Sequence, residues 1–167
     1  MPLRPSSFDD TRRGGDRDVY TVGRLNREVR QLLEHGMPVI WIEAGLSWIP
    51  FVMQRIDHEY MLRPSECPLL KKKPSDYMRE MYYTTQPLEV TDMIQLESTF
   101  RMLNAETQLF YASDYPHWDF DVPSIVWDLP FLTEKARLNI LGGNAARLFG
   151  LEPRNPRQAK NLKKARA

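Results

Sequence analysis

Three short apolar segments alternate along the chain with segments whose apolar residues recur at helical spacing. Residues 39–42 form a continuous β-branched and aromatic run, typical of a strand that is buried on both faces. Residues 81–85 and 109–112 have the same character. We therefore predict three strands at these places.

The segments that follow each strand predict helices. The first has Ser47 as a candidate cap, and its apolar stripe consists of Ile49, Val52, Met53, Ile56 and Tyr60. The later segments carry the stripe Met93, Leu96, Phe100 and Leu103, a cap at Thr133 and a closing Gly150. Strands that alternate with helices predict an α/β fold with a parallel sheet flanked by helices.

The chain divides into three parts by composition. Residues 1–35 carry seven arginines and no lysine, so we expect a poorly ordered or unrelated segment, with a short helix over 23–34. Residues 36–152 contain the alternating pattern and form the predicted ordered region. Residues 153–167 carry six basic side chains and almost no large apolar ones, which predicts a disordered basic tail.

Charge and composition exclude several classes of protein. The chain has 167 residues, with 23 basic against 22 acidic side chains and a net charge of +1, which argues against a nucleic-acid-binding protein. Cys67 is the single cysteine, so the sequence contains no disulfide framework. Charged residues interrupt the longest apolar stretch, over 37–56, which argues against a membrane span. We expect a cytoplasmic protein that binds neither nucleic acid nor membrane.

Candidate chemistry lies where the predicted strands end, because parallel sheets gather function at their carboxyl edge. Asp114 follows the third strand and is a candidate metal ligand and general base. Glu43 ends the first strand, and His117 follows three residues after Asp114. Trp48 and Trp118 are candidates to line a pocket for a flat substrate.

Each of these residues also has a structural explanation. Asp114 can cap the next turn, Glu43 can form an ion pair, and His117 can be a loop histidine held by a neighbour. Trp48 and Trp118 can be ordinary core aromatics. The pattern alone leaves these alternatives open.

Four segments resemble the amidohydrolase-related family of metal-dependent hydrolases and decarboxylases. Residues 42–57 are similar to the sixth strand of that family and its helix, and residues 83–87 to the seventh strand. Residues 112–117, Ala-Ser-Asp-Tyr-Pro-His, resemble the eighth strand, and residues 140–151 resemble the closing helix. The resemblance covers about 37–152.

The resemblance implies the last three βα units of a (β/α)8 TIM barrel. It implies a divalent metal, zinc or manganese, in the full-length family, with Asp114 as metal ligand or proton shuttle. Glu43 falls near a position where some members place a catalytic histidine. The family also uses a His-x-His motif, whereas the histidines here are His35, His58 and His117. One carboxylate supplies too few ligands for zinc, so we expect no tight metal binding by this chain.

Two classes of function follow. The first is a metal-dependent hydrolase, or alternatively a decarboxylase (a carbon–carbon lyase), that acts on a small molecule such as a cyclic or aromatic carboxylic acid. As a carboxyl-terminal fragment, it is expected to be inactive by itself. The second is a non-catalytic association module that pairs with a missing half-barrel or with itself, because three strands cannot close a barrel and open sheet edges favour association.

Overall fold

The computed structural model describes residue 29 and residues 31–166. The expectations for residues 1–28, including most of the helix over 23–34, lie outside the described residues. The chain divides into two units between Met37 and Pro38. In the first unit, residues 31–34 are helical. In the second, a small sheet is packed among helices.

The sheet has three parallel strands in the order β1-β2-β3, which confirms the predicted α/β arrangement. The strands are β1 (Ile40–Trp41), β2 (Tyr82–Thr84) and β3 (Leu109–Phe110). Trp41 is paired with Tyr83, and Tyr83 is paired with Leu109. This register places the three carboxyl ends at one edge of the sheet.

Helices connect and follow the strands. In chain order they are α1 (Trp48–Leu62), a 3-10 helix (Pro64–Glu66), α2 (Pro74–Met78), α3 (Met93–Met102), α4 (Ala105–Gln108), α5 (Ser124–Trp127), α6 (Glu134–Leu138), a π-helix (Asn139–Gly143), α7 (Asn144–Leu148) and α8 (Pro156–Arg166). None of the helices in the described part of the chain has the length and apolar character that crossing a membrane requires.

The core forms where the apolar stripes of the helices meet the sheet. Ile49 on α1, Leu103 after α3, Leu109 on β3 and Ile140 in the π-helix are fully buried. Asn144 ties this region together, since its side-chain amide donates to the main-chain oxygen of Leu109 at 2.8 Å. Asn144 thereby links α7 directly to β3.

Two predicted caps have different outcomes. The Thr133 hydroxyl accepts from the backbone N–H of Ala136 at 3.1 Å, as predicted for the start of α6. Ser47 precedes α1 but makes no side-chain cap bond, and its hydroxyl donates to Glu89 at 3.3 Å instead. Ser47 already has helical backbone angles, φ −65° and ψ −23°, so the prediction that it caps α1 is wrong.

The prediction that the first strand is buried on both faces is also wrong. Ile40 and Trp41 are half-buried, and Ile42 is 66% exposed. These side chains are exposed because β1 lies at an edge of the three-stranded sheet and is paired with β2 alone among the described strands. Local hydrophobicity indicated a strand but could not indicate which neighbours it has.

The basic tail is not disordered as predicted, because residues 156–166 form α8. Ala165 on α8 is buried, and its Cβ lies 3.1 Å from where a side chain on Gly143 would begin. Lys164 pairs with Glu134 on α6 at 2.6 Å. The absence of a side chain at Gly143 lets the helix approach closely, and composition alone did not reveal this contact.

Candidate active site

The carboxyl edge of the sheet brings together three of the predicted site residues. Glu43 lies two residues after β1, and Asp114 and His117 follow β3. One side-chain ligand atom from each residue lies within 4.8 Å of the other two. His117 Nδ1 is 2.8 Å from Asp114 Oδ2. The site therefore contains two carboxylates and one imidazole.

Both carboxylates are presented from strained backbone. In the described chain, three non-glycine residues have positive φ, and two of them are Glu43 at 54° and Asp114 at 57°. A side chain in this left-handed region costs of order 1 kcal/mol or more and persists where the surroundings fix it. Such residues are concentrated at functional sites, which supports function over simple turn capping for this pair.

Threonines at the end of β2 hold the backbone around the two carboxylates. The Thr84 hydroxyl accepts from the backbone N–H of Glu43 at 3.3 Å. The fully buried Thr85 accepts from the N–H of Ala112 at 3.1 Å and donates to its carbonyl at 3.3 Å. Neighbouring strands thus position the segments that carry Glu43 and Asp114.

Asp114 dominates the electrostatics at Glu43. A side-chain hydrogen bond with Asp114 and the negative charge of Asp114 raise the pKa of the Glu43 carboxyl above its ordinary value. His117 opposes this effect with a smaller lowering of that pKa. Because two close carboxylates resist double ionisation, the pair favours keeping one proton between them.

The two predicted pocket tryptophans lie in different environments. Trp48 is half-buried, donates from its indole N–H to the Gly45 carbonyl at 3.0 Å, and packs edge-on against Trp41 at 5.5 Å between ring centroids. It also contacts Tyr83. Trp118 is 93% exposed on the loop after β3. The structure therefore gives Trp48 a packing role and leaves the Trp118 indole accessible to solvent.

The donor set fits a divalent metal by its chemistry. Zinc and manganese accept carboxylate and imidazole ligands, and catalytic zinc sites use three protein ligands. Folding adds Glu43 and His117 to Asp114 as candidate donors, so the described residues offer three ligand atoms where the sequence analysis counted one carboxylate. The sequence did not indicate this grouping, because the donors come from segments about 70 residues apart.

Sequence reasoning missed the residues that support this edge. Thr84 and Thr85 were visible as the polar end of an apolar strand, but their hydroxyl bonds depend on the register with β1 and β3. Asp121 was visible as one of several loop acids. Its main-chain oxygen accepts the Tyr111 hydroxyl at 2.6 Å, and burial raises the pKa of its carboxyl. No local pattern distinguished it from its neighbours.

Comparisons with known proteins extend this picture. The profile of a family described as amidohydrolase matches residues 32–151. The structure is similar to 5-carboxyvanillate decarboxylase from Sphingomonas paucimobilis, with a TM-score of 0.60 and 25% identity, covering 80% of this chain and 41% of that chain. It is also similar to 2,6-dihydroxybenzoate decarboxylase solved with 2,6-dihydroxybenzoate, with a TM-score of 0.51 and 26% identity. This match covers 72% of this chain and 37% of that chain.

The chain spans about two fifths of the length of these solved structures. A separate similarity is short: 32 residues are 56% identical to the exodeoxyribonuclease 7 large subunit of Thioalkalivibrio sulfidiphilus (strain HL-EbGR7). That match covers 19% of this chain and 7% of the nuclease subunit. So short a match carries no argument about activity.

Proposed function

This chain belongs to the amidohydrolase family, and from that membership we propose that its three strands supply one edge of a metal-dependent decarboxylase site. The substrate class is an aromatic carboxylic acid. Support comes from the two similar solved structures, both named as decarboxylases of such acids. The sequence favoured hydrolysis first, and this similarity moves the proposal to decarboxylation.

One observation carries the proposal: Glu43, Asp114 and His117 converge at the carboxyl ends of parallel strands, with both carboxylates in the left-handed region. These three residues would hold the metal. A bound zinc or manganese ion supplies Lewis acidity that polarises the carboxylate of a substrate. His117 is 65% exposed and faces the solvent side of the cluster, whereas Asp114 is 17% exposed and lies deeper.

The carboxyl pair provides the proton that the reaction requires. In decarboxylation the bond between the ring carbon and the carboxylate breaks, CO2 leaves, and a proton takes its place on that carbon. We assign delivery of this proton to Asp114. Glu43, whose pKa Asp114 raises, keeps a proton to higher pH and returns it to Asp114. The exposed indole of Trp118 supplies a flat surface suited to an aromatic ring.

Metal binding by these residues is proposed to be weak. The 2.8 Å contact between His117 Nδ1 and Asp114 Oδ2 occupies one donor atom of each residue, so a cation has to displace it. In the proposed whole site, further ligands come from outside the described residues. Without those outside ligands, we expect this chain to decarboxylate an aromatic acid slowly.

Calorimetry with Zn2+ and Mn2+ tests the metal site. We expect weak binding to the wild-type chain and none to Asp114→Asn. Asp119→Asn is the matched control, because it removes an equal charge from an exposed position in the same loop. Tight binding of one metal per chain contradicts the need for outside ligands.

A chimaera tests the reaction. In it, residues 38–151 of this chain replace the matching part of the Sphingomonas paucimobilis decarboxylase. We expect the chimaera to release CO2 from 5-carboxyvanillate, and Asp114→Asn to abolish the release. The same chimaera is offered amide and lactone substrates. Hydrolysis of these without CO2 release supports the hydrolase alternative instead.

A second candidate function is self-association, which one observation favours. β1 lies at a sheet edge, and Ile42 beside it is 66% exposed. Pairing of this edge with a second copy would cover both the strand edge and the apolar side chain. Sedimentation velocity tests it: a dimer that Ile42→Lys dissociates supports association, and a folded monomer at all concentrations contradicts it.

A further inference from the structure

The turn that carries Glu43 links β1 to α1 and has an uncommon backbone. Glu43 has a φ of 54° and Gly45 a φ of 63°, so two of its residues lie in the left-handed region. Glycine enters that region without a steric penalty, whereas a glutamate stays there where its surroundings fix it. The contacts of residues 43–47 therefore determine where the Glu43 carboxylate lies.

Trp48, the first residue of α1, reaches back to this turn. Its indole N–H donates to the carbonyl oxygen of Gly45 at 3.0 Å. The ring packs edge-on against Trp41 on β1 at 5.5 Å and against Tyr83 on β2 at 6.3 Å, measured between ring centroids. Because Tyr83 is fully buried, the indole lies against a fixed part of the sheet. The hydrogen bond thereby ties the Gly45 carbonyl to the sheet.

Glu89, on the segment after β2, also lies close to Gly45. A Cβ at residue 45 would begin 2.9 Å from Glu89 Oε1, so the Glu89 side chain would have to move away to accommodate one. The Ser47 hydroxyl donates to Glu89 Oε2 at 3.3 Å. Gly45 is therefore needed for its positive φ and for the place that Glu89 occupies, while Trp48 bonds to its carbonyl.

We propose that Trp48 is a positioning residue, whose indole N–H holds the 43–47 turn so that the Glu43 carboxylate stays within reach of Asp114. Its effect on metal binding rests on the proposed function, but its effect on the order of the turn does not. The N–H is the important feature, because an aromatic ring without it could still pack on the strands. Loss of one hydrogen bond corresponds to a change of about 2- to 10-fold in an equilibrium constant.

Hydrogen exchange of the metal-free chain tests the ordering of the turn. Trp48→Phe keeps an aromatic ring beside the strands and removes the N–H donor. We therefore expect exchange in peptides spanning 43–49 to become about 2- to 10-fold faster. Peptides from β3 and α6 should keep the wild-type rate, because the opening is local and the rest of the unit stays folded.

Trp41→Phe is the matched control. It removes an indole N–H from the same group of aromatic rings, but that N–H donates to the sulfur of Met81 at 3.1 Å and not to the turn. We expect the 43–49 peptides of this variant to exchange at the wild-type rate. An equal increase in both variants would show that ring packing holds the turn, which overturns the inference.

Mn2+ affinity, measured by electron paramagnetic resonance, tests the effect on the site. We expect Trp48→Phe to weaken binding about 2- to 10-fold and Trp41→Phe to bind like wild type. If Trp48→Phe does not fold, substitution of Trp48 by benzothienylalanine keeps the two-ring shape and replaces the N–H by sulfur. That variant should then show the same faster exchange and the same weaker binding.

The remaining outcomes separate the turn from the metal site. Unchanged exchange of the 43–49 peptides in Trp48→Phe overturns the inference. Faster exchange with unchanged Mn2+ affinity supports the ordering of the turn and overturns its effect on metal binding. If the wild-type chain binds no Mn2+, the proposed metal site fails, and the exchange experiment still decides the role of Trp48.

Discussion

The central strands and the loop that follows β3 lie next to each other but are held by different forces. Leu109 on β3 is fully buried, whereas Trp118, nine residues later, is 93% exposed. Packing against the helices fixes the strand, and hydrogen bonds at Thr85 and Asp121 fix the loop. The loop carries Asp114 and His117, so the buried strand fixes where the loop begins and the exposed loop holds these two candidate site residues.

This difference shows where stability and function can be separated. Side chains under the sheet contribute through buried apolar area, and a truncation there weakens the whole unit. Side chains on the loop contribute through a few polar contacts, and a truncation there should change the site while the unit stays folded. Three substitutions measure these two kinds of contribution, and a fourth measures an exposed ion pair between two helices; they follow in order of decreasing effect.

Leu109→Ala tests the buried strand. Removing a fully buried leucine side chain leaves a cavity, so we expect the free energy of unfolding to fall by about 2–5 kcal/mol. Urea unfolding followed by circular dichroism measures this. Ile94→Ala is the control, because Ile94 is 84% exposed and should change stability by less than about 0.5 kcal/mol. Equal effects would contradict the assignment of the core.

Thr85→Val tests the junction between the strand and the loop. The substitution removes the acceptor of the Ala112 N–H and leaves a half-buried donor unpaired, which should cost about 1 kcal/mol of unfolding free energy. The same urea titration measures it, with the exposed Thr91→Val as control. A neutral Thr85→Val would show that Ala112 finds another acceptor.

Glu134→Gln tests the contact of α8 with α6 through its pH dependence. Lys164 lowers the pKa of the Glu134 carboxyl below its ordinary value of 4.5. A lowered pKa in the folded state contributes stability above pH 4.5, and this contribution is lost as the pH falls through the lowered pKa. The difference in stability between wild type and variant should thus be present at pH 7 and vanish in acid. A constant difference would contradict an ionic origin.

Trp118→Ala tests the exposed loop and has the smallest expected effect on stability. Because the indole is almost fully exposed, we expect the free energy of unfolding to stay within about 0.5 kcal/mol of wild type. Iodide quenching should show loss of the most accessible tryptophan fluorescence. Trp48→Phe, by contrast, should leave the accessible fraction intact, since Trp48 packs against Trp41. A large loss of stability in Trp118→Ala would contradict this prediction and would show that the indole packs against other side chains.

Much of the fold follows from local signals in the sequence. The strands at residues 40–41, 82–84 and 109–110 lie within the three apolar segments, and Thr133 caps α6. These features depend on neighbours a few residues away. The helical tail and the exposure of Ile42 did not follow, because both depend on what packs against them from distant parts of the chain.

The sequence indicated the individual residues of the candidate site but not that they form one cluster. Glu43 and Asp114 were selected because they end apolar strands, and His117 because it lies near Asp114 in sequence. That all three meet within 4.8 Å depends on strand register and on two residues with positive φ. The support from Thr84 and Thr85 crosses between strands, where hydrophobic periodicity carries no information.

Local patterns predict the alternation of strands and helices and the parallel sheet, because hydrophobic period, caps and turn residues depend on near neighbours. The family followed from four short motifs. Packing between distant segments places β1 at a sheet edge, folds the basic tail as a helix, and brings two carboxylates close to an imidazole. Those features arise from contacts between segments tens of residues apart, whose geometry is fixed only when the core packs.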